Sequence, residues 1–396
     1  MLPFDLNLRH LRGVAAIVRE GTLSAAAARV ALSQPALTQG IAKIEQALST
    51  RLFERRATGL VATTAGAELA RRTEAALAHL ASAFGAAQGS PSGARVELRV
   101  TTSQLRAVLN VANAGSIAGA AASAGMSSPS VHRALREFER LVGAPVLERR
   151  GRLVGLTRRG TRIARAIRLA EREIAAALAE LSTDPGTIGP ILVGAMPLCR
   201  VRVLPKALAA FTRAIPGVRV EVIEGSWREL LPLLRDGVLD LMVGALRDPP
   251  PVDIDQRDLF TDRLAIIARA GHPLAGPDLP TVAELCDHPW IVGPPDSPLT
   301  AAWHTLFAAA PTRPHASIAC GSALVARGVL LETDHLTLLS PAQVEQDLEN
   351  GRLAMVGPLL DGTVRRIGVS TRGGWRITRQ QRVLLDMLEA ASGPDT

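Results

Sequence analysis

Residues 21–38 read GTLSAAAARVALSQPALT, and residues 115–132 read GSIAGAAASAGMSSPSVH. Both stretches place a glycine, an alanine-rich segment and a serine-x-proline group at the same positions, 94 residues apart. The match runs without a gap from Leu11-Arg12 against Leu105-Arg106 to Thr63 and Gly66 against Thr157 and Gly160, and it includes the triplet Glu-Arg-Arg. Chance similarity in an alanine- and arginine-rich chain does not explain an ungapped match of this length. The sequence therefore indicates a duplicated domain.

Each copy has the pattern of three short helices. In the first copy, apolar residues at helical spacing predict a helix over 8–19 that ends at Gly21. Ser24 is expected to cap a second helix over 25–30, and Ser33 to cap a third with a proline in its first turn. The expected inward residues of the third helices are Leu37, Ile41, Ile44 and Leu48, and Val131, Leu135, Phe138 and Leu141. Two helices joined by a tight turn are typical of a helix-turn-helix DNA reader.

The third helix and the basic stretch after it carry the residues that we expect to face DNA. Short polar and basic side chains suit base edges, and a β-prone wing after the arginines suits phosphates. The predicted DNA-binding residues are Ser33, Gln34, Pro35, Thr38, Gln39, Lys43, Arg55 and Arg56, and Ser128, Pro129, His132, Arg133, Arg136, Arg149 and Arg150. His132 is either an exposed histidine or a contact to a base or phosphate. Because Thr38 and Gln39 are matched by His132 and Arg133, two docked copies should prefer different half-sites.

A long helix is predicted after each copy. Its apolar residues are spaced three and four apart, which indicates a coiled-coil seam. The seam residues are Ala70, Thr73, Leu77, Leu80, Phe84 and Ala87 in the first helix, and Ile163, Ile167, Ala170, Ile174, Leu178 and Leu181 in the second. Either helix could lie on its own domain, but pairing with another helix is favoured.

The charge of the chain is unevenly distributed. Residues 1–186 hold 25 lysines and arginines and 14 acidic residues, whereas residues 187–396 hold 20 and 23. A basic front half joined to a mildly acidic rear half indicates a polyanion partner at one end, and nucleic acid fits best. The chain has no apolar run of membrane-spanning length and no secretory signal pattern. Its three cysteines suggest neither a disulfide framework nor a zinc site, so we expect a cytoplasmic protein without a membrane partner.

From Gly189 onward, strands alternate with helices, which predicts a parallel sheet covered by helices. Ligands bind such sheets beyond the carboxyl ends of the strands. The expected effector-binding residues are Met196, Pro197, Leu198, Cys199, Leu246, Arg247, Asp296 and Ser297. Arg247 is either a partner for an anionic ligand or a solvated arginine. Cys199 is either a reactive thiol or, more in keeping with free cysteines, a small buried residue.

Motifs of common enzyme classes are missing from the sequence. It contains no phosphate-binding loop, no dinucleotide fingerprint, no H-E-x-x-H and no nucleophile elbow. We therefore expect no catalytic residues, no metal site and no cofactor. Trp227, Trp290 and Trp303 are expected to be core residues.

Residues 21–38, together with Ile44-Glu45, Leu52-Phe53-Glu54-Arg55 and Thr63-x-x-Gly66, resemble the DNA-binding domain of LysR-type transcriptional regulators. The rear half is similar to the effector domain of that family, including Gly271-His272-Pro273-Leu274. The resemblance implies base contacts by Gln34, Pro35, Thr38 and Gln39, and a backbone contact by Arg55. It also implies a small-molecule inducer in a cleft between two subdomains. The duplication departs from the family pattern, as does Ser49 where the family usually has glycine.

The expected fold is multidomain: two all-α winged helix-turn-helix domains and then an α/β effector domain of two subdomains, like periplasmic solute-binding proteins. The expected boundaries are 1–66 and 96–160 for the two copies, 67–95 and 161–186 for the linker helices, and 187–396 for the effector domain. Within the last, 187–265 and 366–396 form one subdomain and 266–365 the other.

The expected function is that of a sequence-specific transcriptional regulator that senses a metabolite and controls nearby genes. Expected partners are double-stranded DNA, a small-molecule effector, further copies of the chain and RNA polymerase. In one hypothesis the two long helices pair within one chain and both copies read DNA; in the other only one copy does. The alternative function is a cytosolic small-molecule-binding protein whose front domains serve oligomerisation or non-specific DNA binding.

Overall fold

The computed structural model describes residues 3–56, 59–84, 96–150, 153–182, 189–295 and 297–393. Both copies have the same order of elements, with three helices, a strand pair and a long helix. The elements of the first copy are α1 (Leu8–Glu20), α2 (Leu23–Arg29), α3 (Gln34–Leu48), β1 (Phe53–Arg56), β2 (Gly59–Ala62) and α4 (Thr64–Phe84). Those of the second copy are α5 (Thr102–Ala114), α6 (Ile117–Ser123), α7 (Ser128–Val142), β3 (Leu147–Arg150), β4 (Leu153–Leu156) and α8 (Arg158–Leu181).

Two local predictions for these helices were wrong. Thr22 rather than Ser24 caps α2, because its extended backbone lets the side chain accept a hydrogen bond from the Ala25 amide at 3.3 Å. Ser24 lies inside the helix. The last expected inward residue of each third helix, Leu48 in α3 and Leu141 in α7, packs on the core but is only half-buried, and Val142 is the fourth buried apolar residue of α7.

The matched residues of the two copies build the same joint between α3 or α7 and the long helix. The Glu45 carboxylate accepts from the Leu52 amide at 2.7 Å, and Glu139 accepts from Val146 at the same distance. A Cβ on Gly66 would stand 2.1 Å from the Leu52 carbonyl oxygen, so no larger residue fits there unless the backbone moves. Gly160 has the same contact, at 2.0 Å from the Val146 oxygen. The two copies therefore share the same packing requirements at matched residues, which explains why these residues repeat in the sequence.

The two copies pack on each other within the chain, as the first of the two hypotheses expected. α4 lies along α8, and both belong to one apolar core that spans the two copies. The seam residues of both helices are buried, apart from half-buried Leu77 and Leu181, while Ala87 lies outside the described residues. Phe84 at the end of α4 meets Phe138 of α7 edge-to-face, with ring centroids 5.8 Å apart.

Two arginines at matched positions make this pairing reciprocal. Arg12 of the first copy is 6% exposed and donates to the carbonyl oxygens of Glu97, Leu98 and Val100, just before α5. Arg106 of the second copy reaches back to the Asp5 carboxylate, just before α1, at 2.8 Å. Each copy thus holds the entry segment of the other, as the two subunits of a twofold-symmetric dimer do.

The rear half contains two five-stranded sheets. The first has the strand order β6 (Val220–Glu224), β5 (Ile191–Ala195), β7 (Leu241–Ala245), β14 (Arg365–Arg372) and β8 (Ile254–Asp262). The second has the order β11 (Ala316–Ala319), β10 (Trp290–Val292), β12 (Leu336–Leu339), β9 (Ala265–Arg269) and β13 (Leu353–Val356). The helices are α9 (Val203–Ala214), α10 (Trp227–Arg235), α11 (Val282–Cys286), α12 (Pro298–Leu306), α13 (Ala323–Glu332), α14 (Glu345–Glu349) and α15 (Arg379–Ser392).

The sheets are mixed, so the prediction of a parallel sheet was wrong in this respect. β5 pairs in parallel with β6 and β7, but β14 runs antiparallel to β7 and to β8. The chain leaves the first sheet after β8 and returns to it as β14, and this return strand reverses direction. Asp262, the last residue of β8, forms an ion pair with Arg365, the first residue of β14, where the chain leaves and re-enters the first sheet. The Ser340 hydroxyl is a further donor to Asp262. A charged cluster therefore ties the two crossing segments together.

Among the helices described, none is both long and apolar enough to pass through a bilayer.

Candidate DNA interface and effector cavity

The predicted DNA-binding residues of the first copy lie on the exposed surface of α3 and β1. Gln34, Pro35, Thr38, Gln39 and Lys43 are exposed along one side of α3, while Leu37, Ile41 and Ile44 are buried. The Ser33 side chain accepts from the Ala36 amide at 3.3 Å, so its hydroxyl oxygen already caps the helix. The Thr38 hydroxyl donates to the Gln34 carbonyl at 3.0 Å. Gln39 and Lys43 have no such partner among the contacts described, so their polar groups face solvent.

The wing of the first copy is a two-stranded antiparallel hairpin, in which Arg56 pairs with Gly59. Arg55 and Arg56 are exposed, and Arg56 contacts the Glu54 carboxylate at 3.2 Å. A basic hairpin beside an exposed polar helix suits contacts to phosphates and base edges.

The second copy presents the same surface with different chemistry. Ser128, Pro129, His132, Arg133 and Arg136 are exposed on α7, and Ser127 is the residue that caps it. Arg149 and Arg150 lie in β3, and their side chains lie outside the described parts of the chain. At matched positions, α3 therefore offers an amide where α7 offers a guanidinium, two groups that prefer different bases.

A cavity of about 710 Å³ lies between the two sheets of the rear half. The carboxyl ends of β5, β6 and β7 form one wall, and the loops after β10 and β11 with the start of α13 form the other. The lining is mainly apolar, and it includes Met196, Pro197, Leu198, Trp227, Pro294, Leu299 and Cys320. This position at the strand ends follows the rule for ligand sites in open α/β sheets.

Arg247 lines this cavity and has no carboxylate partner among the contacts described. Its guanidinium lies 4.6 Å from the centre of the Trp227 ring and donates to the carbonyl oxygens of Ala245 and Leu246, both at 3.3 Å. Burial lowers the pKa of Arg247. By contrast, Arg200 is paired with Glu224, and Arg365 with Asp262. Arg247 is thus a positioned cation with uncompensated charge at the edge of an apolar cavity.

The structure brings most of the predicted effector residues together, with three exceptions. Met196, Pro197, Leu198, Arg247 and Ser297 line the cavity. Ser297 also caps α12 by accepting from the Thr300 amide at 3.1 Å.

The exceptions differ in kind. Cys199 is 0% exposed within the core of the first sheet, and burial raises the pKa of its thiol to about 12, which argues against an effector contact. Leu246 packs beside β14 and is absent from the cavity lining. Asp296 lies outside the described residues.

Trp227 was missed as a site residue because the sequence suggested a core tryptophan. Trp290 and Trp303 are buried as expected, whereas Trp227 is half-buried and lines the cavity. The sequence did carry a signal for this role, because Trp227 closely follows the carboxyl end of β6, and ligands bind open sheets beyond the carboxyl ends of their strands.

Two protein-family models match this chain. The model described as "Bacterial regulatory helix-turn-helix protein, lysR family" matches the chain twice, at residues 8–67 and 102–161. The model described as "LysR substrate binding domain" matches residues 186–393. The chain belongs to the LysR family. It is a LysR-type DNA-binding transcriptional regulator with a duplicated helix-turn-helix region and an effector-binding domain, and its relatives are regulators rather than enzymes.

Two curated relatives match different shares of this chain. The HTH-type transcriptional regulator GalR of Pseudomonas putida is 32% identical over 94% of this chain and 94% of its own length. The HTH-type transcriptional regulator PcaQ of Agrobacterium fabrum is 28% identical and covers 97% of its own length but 75% of this chain. Some LysR-family relatives are therefore of similar length to this chain, and others leave about a quarter of it unmatched.

A solved structure of a full-length OxyR variant from Pseudomonas aeruginosa has the same fold over much of the chain. Its TM-score is 0.58 at 21% identity, and the match covers 73% of this chain and 95% of that one.

Proposed function

We propose that this LysR-family regulator reads DNA with both helix-turn-helix copies of one chain, so that a single polypeptide presents the two readers that a dimer would present. The observation that carries the proposal is the reciprocal packing of the copies, in which Arg12 and Arg106 each hold the entry segment of the other copy. Reciprocal packing fixes two reader helices relative to each other, and a fixed pair selects half-site spacing. Because the reader surfaces of α3 and α7 differ, the DNA site should be asymmetric.

The test is fluorescence anisotropy on the DNA upstream of the gene, over a salt series. Gln39→Ala and Arg133→Ala are compared with wild type, and Ser82→Ala, at an exposed position of α4 outside both reader helices, is the control. Each reader variant should weaken binding by about 1–3 kcal/mol and relax the preference for its own half-site. If Arg133→Ala leaves affinity and preference unchanged, the second copy is not a reader. If the wild type shows no sequence preference at any salt concentration, the regulator proposal fails.

We further infer that the effector is a small molecule with an apolar body and a carboxylate or similar anionic group. The apolar lining of the cavity supports the first part, and the uncompensated guanidinium of Arg247 supports the second. A guanidinium that stacks on an indole ring is held in place, so less side-chain entropy is lost on binding an anion.

This inference is tested by thermal unfolding with a panel of small apolar carboxylates, each paired with its neutral amide. A carboxylate that raises the unfolding temperature should lose this effect in Arg247→Met, whereas a control variant, Arg313→Met on the exposed surface, should keep it. Equal stabilisation by acid and amide, or an unchanged effect in Arg247→Met, would contradict the anionic class.

The remaining partners are proposals that follow from the family. A regulator of this kind acts on promoters of nearby genes in the cytoplasm, in response to a metabolite or catabolic intermediate, and it engages RNA polymerase there. Further copies of the chain are expected to associate through the effector domains, because α4 and α8 already pair within the chain.

A further inference from the structure

A second cavity, of about 480 Å³, lies where the paired long helices meet the edge of the first sheet. Arg72 and His79 of α4 form one side, and Arg165 and Arg172 of α8 form another. The third side is residues 372–376, at the end of β14 and just after it. It shares no lining residue with the effector cavity. We call it the junction cavity, because both helix-turn-helix copies and the effector domain contribute to it.

The carboxylates of the junction cavity are already engaged. Five arginines line it, against Glu173, Asp240 and Asp253. Glu173 contacts Arg72 at 3.0 Å, and Asp240 accepts from the Leu192 amide at 2.8 Å. Asp253 accepts two hydrogen bonds from Arg235, which lies outside the cavity, at 2.8 and 2.7 Å. The amide bond leaves the charge of Asp240 in place beside Arg372, but the five arginines still exceed the three carboxylates by two, and Asp253 is shared with Arg235.

Two of these arginines are held by neutral partners. Arg172 donates to the carbonyl oxygens of Gly237 and Val238 at 3.0 and 3.2 Å. Arg372 donates to those of Leu234 and Leu239, and burial lowers its pKa. A carbonyl oxygen fixes a guanidinium without neutralising its charge. Asp240 and Glu173 compensate part of the charge of Arg372, and the excess of arginines over carboxylates leaves the cavity with positive potential.

Arg165 and Arg376 complete the cationic wall. Arg165 is only loosely paired, 3.9 Å from Asp236 and 4.0 Å from Asp253. Arg376 is exposed at the rim, and its side chain has no ion pair among the contacts described. Burial lowers the pKa of His79, and Arg372, Arg376 and Arg165 lower it further, against the effect of Glu173. The ring is therefore a built-in reporter of the local potential.

We propose that the junction cavity binds a small phosphorylated molecule, whose phosphate is held by the guanidinium groups of Arg165, Arg372 and Arg376. Guanidinium forks match phosphate oxygens in pairs, and a dianion compensates more of the excess charge than a monocarboxylate does. The volume admits a phosphate together with a small organic body. Because the walls come from both long helices and from the effector domain, an occupant joins the DNA-reading part to the sensing part.

The experiment is isothermal titration calorimetry on the full chain with inorganic phosphate and with pyrophosphate, at ionic strength held constant with chloride. Arg165→Ala/Arg376→Ala is the site variant, and Arg219→Ala/Arg313→Ala, which removes two exposed charges elsewhere, is the matched control. Saturable binding should weaken at least about tenfold in the site variant and stay at the wild-type level in the control. No saturable heat with wild type, or equal affinity in both double variants, would overturn the proposal.

A second measurement shows whether the phosphate binds in the junction cavity. The pKa of His79 is measured by NMR of histidine side chains, with His79→Gln used to assign its signal. A bound phosphate should raise this pKa, because a nearby negative charge favours the imidazolium form. An unchanged pKa at saturating phosphate would put the anion elsewhere and refute the site. If promoter DNA displaces phosphate, and Arg165→Ala/Arg376→Ala weakens binding of both, the cavity binds the DNA backbone and the small-molecule proposal is overturned. Failure here leaves the half-site test of the reader helices unaffected, since that test uses no added phosphate.

Discussion

Arg12 and Arg106 occupy matched positions in the two copies, yet the structure assigns them very different energetic roles. Arg12 is 6% exposed and donates to three carbonyl oxygens, whereas the ion pair of Arg106 with Asp5 leaves the two side chains 36% and 43% exposed. Truncating Arg12 to alanine removes three charge-assisted bonds and leaves the buried Val100 carbonyl without this donor, which costs about 3 kcal/mol. Truncating Arg106 should cost about 0.5 kcal/mol, the usual value of an exposed ion pair.

The chain allows this difference to be localised by spectroscopy. All four tryptophans, at positions 227, 290, 303 and 375, belong to the rear half, while most residues of the front half are helical. In urea unfolding, Arg12→Ala should shift the far-ultraviolet circular dichroism transition to lower denaturant by about 1–2 M, taking a slope of about 2 kcal/mol/M. The tryptophan fluorescence transition should stay in place. Arg106→Ala should shift neither by more than about 0.3 M.

The same variants test the proposed pairing of readers. Arg12→Ala should weaken binding to a DNA probe with two half-sites, while binding to a single half-site is unchanged, because each reader helix remains intact. If Arg12→Ala and Arg106→Ala lower the free energy of unfolding equally, the argument from burial is refuted. If the fluorescence transition moves together with the dichroism transition, the two halves unfold as one unit. The Arg12 contacts would then stabilise the whole chain and not the front half alone.

Three further predictions concern backbone conformation, close packing and thiol chemistry. Ser49→Gly should stabilise the first copy by about 1 kcal/mol, and Gly143→Ser should destabilise the second by a similar amount, because both residues are left-handed, with φ of 49° and 67°. Gly66→Ala should cost about 2 kcal/mol or more, since its Cβ would stand 2.1 Å from a carbonyl oxygen. In the native protein at pH 8, iodoacetamide should modify Cys320 at the cavity wall and leave Cys199 unmodified, because burial raises the pKa of Cys199 to about 12.

Each of these predictions has its own check. Dichroism midpoints measure the glycine variants, and a cost for Ser49→Gly would mean that the Ser49 side chain makes a stabilising contact that outweighs backbone strain. Gly160→Ala is the matched control for Gly66→Ala, and the two should cost alike; a neutral result for both would show that the joint relaxes. Mass spectrometry measures alkylation, with denatured protein as the control in which all cysteines react. Modification of native Cys199 at the rate of Cys320 would contradict its burial.

The sequence by itself determined the repeat, the helix-turn-helix pattern and most of the helices, because these depend on contacts a few residues apart. Ser33 caps α3 as predicted, and Ser127 caps α7 in the same way, since a cap needs only an amide three residues onward. The strand-end rule also located much of the cavity wall, because loops at one edge of a sheet must meet.

Tertiary structure decided what depends on residues far apart in the chain. Arg12 and Arg106 look equivalent in sequence, and only the packing of one copy on the other buries the first, through partners 85 to 88 residues away. β8 and the antiparallel return of β14 were not evident, because strand direction is set by pairing across the chain and not by local pattern. Cys199 lies in the core while its neighbour Leu198 lines the cavity, because the tight turn over Pro197–Arg200 sends adjacent side chains to opposite sides.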